Sequence, residues 1–311
     1  MKRGAIAIVA LLVSLLSEQA ALAAFHRGDI IVSTVILNFV GPNGSSYTGT
    51  IRQFAPAGSL ISQFYSQENG GASDLKFSPS GVLHGAAGTA VLRFANDGSM
   101  LSPLVAPSTS YLITSLAFTR SGVLFATTQG GEVVKFAGDG SSLGLISGQS
   151  QAPTWADLSI DQCTLYGLTV QIRRLDVCGG TLLVPLTPPL GDFGRTLLVL
   201  PDRTLLASTS HADMYRVRSD GSILRHYATH AVAFSRDLSP NFVWVAVGAR
   251  FAKFDLENDV IASGPFNTDA EGIIGITVVD ADAQSIPEFS PVVLMLLVLV
   301  VVAFALSRLR Y

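Results

Sequence analysis

Short runs of apolar residues, many of them alternating with polar ones, are separated by turn residues along most of the chain. One stretch begins at Gly71 with GASDLKFSPSGVLHGA and continues at Ala90 with AVLRFANDGS. The next begins at Ile113 with ITSLAFTRSGVLFAT and continues at Glu132 with EVVKFAGDGS. Alternation over so few residues, ended by Gly, Pro, Asp or Ser, is typical of short antiparallel strands. Each stretch therefore predicts four strands.

The two stretches are copies of one repeat. Leu75 and Leu116 are 41 residues apart, and so are Gly81 and Gly122. Both copies also carry an Asp-Gly pair where the third strand turns into the fourth, and this pair tolerates the backbone angles of a tight turn. Fainter copies begin at Trp155, Thr196 and Ala231. An internal period of this length indicates a fold built from repeated units.

A shorter copy opens the repeat region at Asp29, and it lacks a first strand. A matching run, residues 272–279, stands at the other end of the region. Because the last strand can complete the first unit, we predict an all-β, six-bladed β-propeller with four-stranded blades of about 40–43 residues. A two-sheet sandwich is the alternative, but it explains neither the spacing nor the displaced strand.

Units of the form Leu-x-Phe-x-x-x-Gly-Val-Leu, followed by Val-x-x-Phe-x-x-Asp-Gly-Ser, resemble those of NHL-type and related six-bladed propellers. That group includes gluconolactonases and streptogramin lyases. The resemblance covers residues 28–281. It implies the fold, but it implies no single activity, because such propellers include enzymes, scaffolds and sensors.

Both ends of the chain differ from the repeat region. A basic start (Met1–Arg3), an uncharged run to Leu16 and small residues up to Ala24 form the three parts of a secretory signal peptide. The alternative, a retained membrane helix, needs about 20 apolar residues, more than this run offers. At the other end, residues 289–306 are apolar except for Ser290, which predicts a membrane-spanning helix rather than a buried core helix.

The segment before that helix resembles a bacterial sorting signal of the PEP-CTERM type. Pro287 and Glu288 match the start of the motif, and Arg308 and Arg310 supply a basic tail on the cytoplasmic side. A sorting transpeptidase is the partner this resemblance implies, and a plain membrane anchor is the alternative. The predicted organisation is a signal peptide (1–24), the propeller (25–281), a linker (282–290), a transmembrane helix (291–307) and a cytoplasmic tail (308–311).

Charge and cysteine content bear on the binding partners of the protein and on its redox compartment. The formal net charge is −3 and no basic run occurs in the repeat region, which argues against a nucleic-acid partner. Cys163 and Cys178 are the only cysteines, and a hairpin turning at Val170-Gln171 would place them directly opposite each other. In an exported protein we expect them to form a disulfide bond. Two free thiols are the alternative.

Polar residues stand where the first strand of each blade begins, at the usual position of a propeller's binding site. They are Asp74, Ser115, Asp157, Arg195, His230 and Glu271. Asp74, Asp157, His230 and Glu271 are candidates for ligands of a divalent cation, as the resemblance to gluconolactonase-like propellers implies. We favour the interpretation that such side chains are solvated or cap exposed backbone, with no metal, cofactor or catalytic residue assigned.

No nucleophile elbow and no phosphate-binding glycine loop before a helix occurs in the sequence. We therefore predict a non-enzymatic protein, exported and anchored at the cell surface, whose propeller binds or scaffolds a protein, a glycan or a small ligand. A metal-dependent lactonase or lyase acting at the channel mouth is the alternative from another class. A structural matrix protein is a third possibility.

Overall fold

The repeats fold into six antiparallel sheets arranged as blades. A computed structural model of the protein describes residues 24–41, 44–68, 70–105, 111–147, 155–187, 189–210 and 213–279. Within these ranges, 24 strands form six sheets of four strands each. The prediction of an all-β, six-bladed propeller with four-stranded blades is therefore confirmed.

Each blade uses consecutive strands, except the first. Blade 1 contains β1 (Ile30–Gly41), β2 (Gly44–Phe54) and β3 (Leu60–Glu68). Blade 2 contains β4 (Leu75–Phe77), β5 (Leu83–Ala87), β6 (Ala90–Phe94) and β7 (Met100–Val105). Blade 3 contains β8 (Ile113–Phe118), β9 (Leu124–Thr128), β10 (Val133–Phe136) and β11 (Ser142–Ser147).

The second half of the ring repeats this arrangement. Blade 4 contains β12 (Trp155–Leu158), β13 (Thr164–Leu168), β14 (Ile172–Asp176) and β15 (Thr181–Leu183). Blade 5 contains β16 (Gly194–Val199), β17 (Leu205–Thr209), β18 (Met214–Val217) and β19 (Ile223–Tyr227). Blade 6 contains β20 (Ala233–Arg236), β21 (Phe242–Val247), β22 (Arg250–Asp255) and β23 (Val260–Asn267).

The last strand closes the ring as predicted. β24 (Gly272–Val278) completes blade 1, whose strand order is β24-β1-β2-β3. It pairs antiparallel with β1, and Ile30 faces Val278. Joining the two ends of a circular fold through one sheet covers the inner edge of β1, which would otherwise be unpaired.

The predicted Asp-Gly turns join the third and fourth strands. In blade 2, Gly98 N–H donates to the Ala95 carbonyl at 2.9 Å, and the Asp97 carboxylate accepts from Ser99 N–H. Gly98 has a φ of 79°, a left-handed conformation that glycine adopts without a steric penalty. Gly140 occupies the same position in blade 3.

The hydrophobic core lies between neighbouring blades. Six clusters of buried side chains each combine residues of two adjacent sheets. At the junction of blades 2 and 3, for example, Val91 and Leu104 of blade 2 belong to the same cluster as Leu116 and Phe136 of blade 3. The apolar residues of each copy are therefore buried against the next blade, so a single repeat would leave its apolar face exposed.

Cys163 and Cys178 form the predicted disulfide bond, with Cα atoms 5.2 Å apart. The predicted register was wrong by one residue. Leu168 pairs with Ile172, so the turn holds three residues centred on Val170 rather than two. Cys163 consequently faces Val177, and the bridge runs diagonally to the next residue, which lies in the turn after β14.

Removing this bridge should destabilise the propeller without unfolding it. Replacing both cysteines with serine should lower the free energy of unfolding by about 3 kcal/mol, because the bridge closes a 15-residue loop in the unfolded chain. Denaturant unfolding of the double variant, with reduced wild-type protein as the matched control, measures the effect. Equal stability of oxidised wild type and double variant would contradict the prediction.

The predicted terminal segments fall outside the described residues. This applies to residues 1–23 of the signal peptide, the linker with Pro287 and Glu288, the transmembrane helix at 291–307 and the tail. Within the part of the chain that the structure describes, no helix has the length and apolar character needed to cross a membrane.

Candidate functional site

Asp74 holds blades 2 and 3 together. Its Oδ2 atom accepts hydrogen bonds from Leu116 N–H at 2.8 Å and from the Ser115 hydroxyl at 2.9 Å, while Oδ1 accepts from Leu75 N–H. Burial raises the pKa of Asp74, and the nearby charge of Lys76 and these hydrogen bonds offset the rise only in part. The carboxylate is therefore committed to the backbone and hydroxyl of its own and the next blade.

Asp157 has the same role between blades 4 and 5. Its Oδ1 atom accepts from Leu158 N–H, and Oδ2 accepts from Val199 N–H at 2.8 Å. Oδ2 also forms a salt bridge with Arg236 of blade 6 at 3.0 Å, and Arg236 Nε donates to the Val199 carbonyl. One carboxylate thus connects three blades.

Similar hydrogen bonds occur at every junction of the ring. Four of these bonds join residues 41 to 43 positions apart, and they connect Asp74 with Leu116, Ser115 with Ala156, Asp157 with Val199, and Ser235 with Val278. Ser33 accepts from Ala72 N–H between blades 1 and 2, and Arg236 donates to Val199 between blades 6 and 5. The polar residues of the inner strands therefore satisfy backbone groups that a purely apolar channel would leave without partners.

The four candidate metal ligands do not share one position in the ring. The first strand of blade 2 has its last paired residue at Phe77, three positions after Asp74. The first strand of blade 4 has its last paired residue at Leu158, one position after Asp157. The two carboxylates therefore lie at different distances from the ends of their strands. His230 and Glu271 are exposed. Among the residues that the structure describes, no group of three or more His, Cys, Asp or Glu side chains could hold a metal ion.

The channel has an opening at the end opposite to the one where the first strands begin. A cavity of about 580 Å³ opens where the first strands end and the turns to the second strands begin. Its walls come from blades 2 to 6, and they include Phe77, Pro79, Phe118, Leu158, Ile160, Leu200, Pro201, Lys76, Arg120, Asp157 and Arg236. We call this cavity the mouth. Its volume lies within the range of small-molecule sites.

Below the mouth the channel narrows to a throat. The free space there is about 10 Å³, roughly one water molecule, between Asp74, Ser115, Trp155 and Thr196.

The mouth combines apolar walls with a few charged side chains. Its lining contains one carboxylate, Asp157, which forms a salt bridge with Arg236, and two further cationic side chains, Lys76 and Arg120. Lys76 is buried and lies near Asp74, whereas Arg120 is exposed. This arrangement suits a ligand with an apolar body and an anionic or strongly polar group.

Sequence reasoning missed the mouth, although it named Asp157. Arg120, Arg236 and Pro201 stand at or after the last residue of a first strand, in the turns that follow. Aligning the six copies on the ends of their first strands, rather than on their beginnings, would have collected these positions. The sequence contains no sign of the cavity itself, because its volume depends on how the turns pack.

The comparisons with known proteins agree on the fold. A protein of unknown function from Bacteroides caccae is 10% identical, with a TM-score of 0.63 over 82% of this chain and 99% of that one. A chain in the crystal structure of a nidogen/laminin complex is 11% identical, with a TM-score of 0.60 over 83% of this chain and 100% of that one. The structure of U3-55K is 12% identical, with a TM-score of 0.51 over 60% of this chain and 61% of that one. No family model and no curated protein matches the sequence.

Proposed function

We propose that this propeller is a binding module that takes a small ligand, or an exposed group of a larger partner, in the mouth. The observation that carries the proposal is the mouth itself, about 580 Å³ of mostly apolar wall with a few polar groups directed into it. The carboxylates that could have acted in catalysis, Asp74 and Asp157, are used instead to connect blades. We favour binding over hydrolysis for this reason.

The structural neighbours support a binding role in general terms only. One of them is part of a nidogen/laminin complex, in which two proteins bind each other. At 11% identity the likeness extends to the fold, and the same fold carries many functions. The resemblance to NHL-type and gluconolactonase-like propellers stays a prediction.

We further propose that the module is exported and held at the cell surface by the predicted C-terminal helix. The bond between Cys163 and Cys178 supports export, because disulfide bonds persist mainly in oxidising compartments. Mass spectrometry of non-reduced peptides from the native compartment tests this point, and two free thiols there would contradict it. Whether a sorting transpeptidase acts at Pro287 and Glu288 is part of the same proposal.

Blocking the mouth should abolish binding. We would screen the full chain against oligosaccharides, lactones and short peptides by thermal shift and measure the hits by calorimetry. Pro201 is exposed in the mouth wall, so Pro201→Trp should fill the mouth and weaken a hit at least tenfold without disturbing the core. Val184→Trp, at an exposed position after the outermost strand of blade 4, is the matched control.

Two outcomes would contradict the proposal. A hit that binds Pro201→Trp and wild type equally well would place the site elsewhere. Turnover of a lactone by wild-type protein, lost on chelation of divalent cations, would favour the enzymatic alternative.

A further inference from the structure

A second cavity lies beside the mouth, in a cleft between blades 2 and 3. It has a volume of about 310 Å³ and shares Pro79, Phe118 and Arg120 with the mouth. Its remaining walls come from three turns and from the middle strands of the two blades, and they include Ser78, Ser80, His84, Arg93, Ser121 and Gly140. A ligand group could therefore extend from the mouth into this cleft past Phe118.

The cleft contains two arginines and no carboxylate among its lining residues. Arg93 projects from β6 toward the turn at Gly140, and its Nε atom is buried without a hydrogen-bond partner. The carboxylate of Asp139 in that turn accepts from Ser141 instead. Burying a guanidinium nitrogen without a partner costs free energy. Because the Nε atom is shielded from solvent, a ligand in the cleft would meet the terminal nitrogens of Arg93 instead.

Other half-buried arginines of the chain have such partners. Arg216 pairs with Asp202 at 2.7 Å, Arg236 pairs with Asp157, and Arg174 Nε donates to the Val184 carbonyl at 3.0 Å. Arg93 therefore differs from the pattern that the rest of the fold follows, and it differs at the wall of a cavity.

His84 limits the cleft to two positive charges. Its Nδ1 atom lies 2.9 Å from the Val82 carbonyl, which can only accept, so Nδ1 carries the proton of the neutral ring. The ring packs edge-on against Phe118, with centroids 4.8 Å apart. Burial, together with the charge of Arg93, lowers the pKa of His84 to about 4, so the ring is neutral at pH 7.

We propose that this cleft binds an oxyanion group of the ligand, with Arg93 and Arg120 as its counter-charges. A guanidinium group donates in a planar fork that fits the oxygens of a carboxylate, sulfate or phosphate. Phe118 separates the anion from the apolar wall of the mouth. The inference deepens the proposed function, because it assigns the chemistry of one part of the ligand bound there.

Simple anions test the cleft without knowledge of the natural ligand. Acetate, inorganic sulfate and inorganic phosphate would be titrated into the full chain at constant ionic strength, with chloride as the background anion. We expect saturable binding of at least one of them, measured by calorimetry and by shifts of the His84 ring resonances. The ranking of the three anions distinguishes a carboxylate site from a sulfate or phosphate site.

Arginine variants locate the binding. Arg93→Gln should weaken binding at least tenfold, and Arg120→Gln, at an exposed position that does not threaten folding, about threefold or more. Arg250→Gln is the matched control, because Arg250 is exposed at the start of β22 in blade 6, away from the cleft. Equal affinity of wild type and both cleft variants, or no saturable binding over chloride, would overturn the inference.

The design separates this inference from the proposed function. If the anions fail to bind while Pro201→Trp still abolishes capture of a ligand, the cleft assignment fails and the mouth stands. If the anions bind through Arg93 while Pro201→Trp leaves every hit unaffected, the cleft stands and the mouth fails.

Discussion

A chain that ends at Ala270 should lose its cooperative melting transition and aggregate. Such a truncation removes β24, whose buried side chains include Ile273, Ile276 and Val278. These side chains belong to the cluster between blades 6 and 1, so their loss exposes apolar surface on both blades. It also leaves the inner edge of β1 unpaired, and a free edge of this kind pairs readily with other chains.

Calorimetry or far-ultraviolet circular dichroism of residues 25–270 measures the effect, with residues 25–281 as the matched control. A synthetic peptide covering residues 270–281 should restore a cooperative transition, because it can add to β1 as the missing strand. A truncated protein that melts like its control would contradict ring closure by β24.

Replacing Asp157 with alanine should lower the free energy of unfolding by roughly 3 kcal/mol. The substitution leaves the Val199 N–H without its acceptor and Arg236 half-buried without its counter-charge. Removing one member of a buried ion pair is costly, because the other charge stays away from water. The loss should be large also because one side chain joins blades 4, 5 and 6.

Two variants set the scale for this result. Asp202→Ala removes the partner of Arg216 on a more exposed surface, and we expect it to cost about 1 kcal/mol or less. Asp157→Asn retains one acceptor oxygen, so its loss in the free energy of unfolding should lie between the losses of the two alanine variants. Urea unfolding measures all three. A loss at Asp157→Ala no greater than that at Asp202→Ala would show that the ring of inter-blade hydrogen bonds adds little to stability.

Several features of the fold could be predicted because they are local or repeat with a fixed period. Alternation around Leu75 and Leu116 predicts strands, and the 41-residue spacing predicts blades. The displaced strand at residues 272–279 predicts how the ring closes. The disulfide between Cys163 and Cys178 followed from one hairpin, although its register did not, because a three-residue turn at Val170 shifts the pairing by one.

The site was less accessible to sequence reasoning. Asp74 and Asp157 occur in similar sequence contexts, but the pairing of their strands places them at different heights in the channel. Their use as connectors has a signal in the sequence, since their partners Leu116 and Val199 each lie 42 positions further along. The salt bridge of Asp157 with Arg236 spans 79 positions and has no such signal.

The sequence by itself determined the strands, the blade count, the closure of the ring and the cysteine pair, because each depends on neighbours along the chain or on the repeat period. Only the tertiary structure decided where the mouth lies, and that Arg93 and Arg120 face one cleft without a carboxylate. The physical reason is that cavities form where side chains of different blades fail to fill the space between them. That space depends on how all the blades pack together.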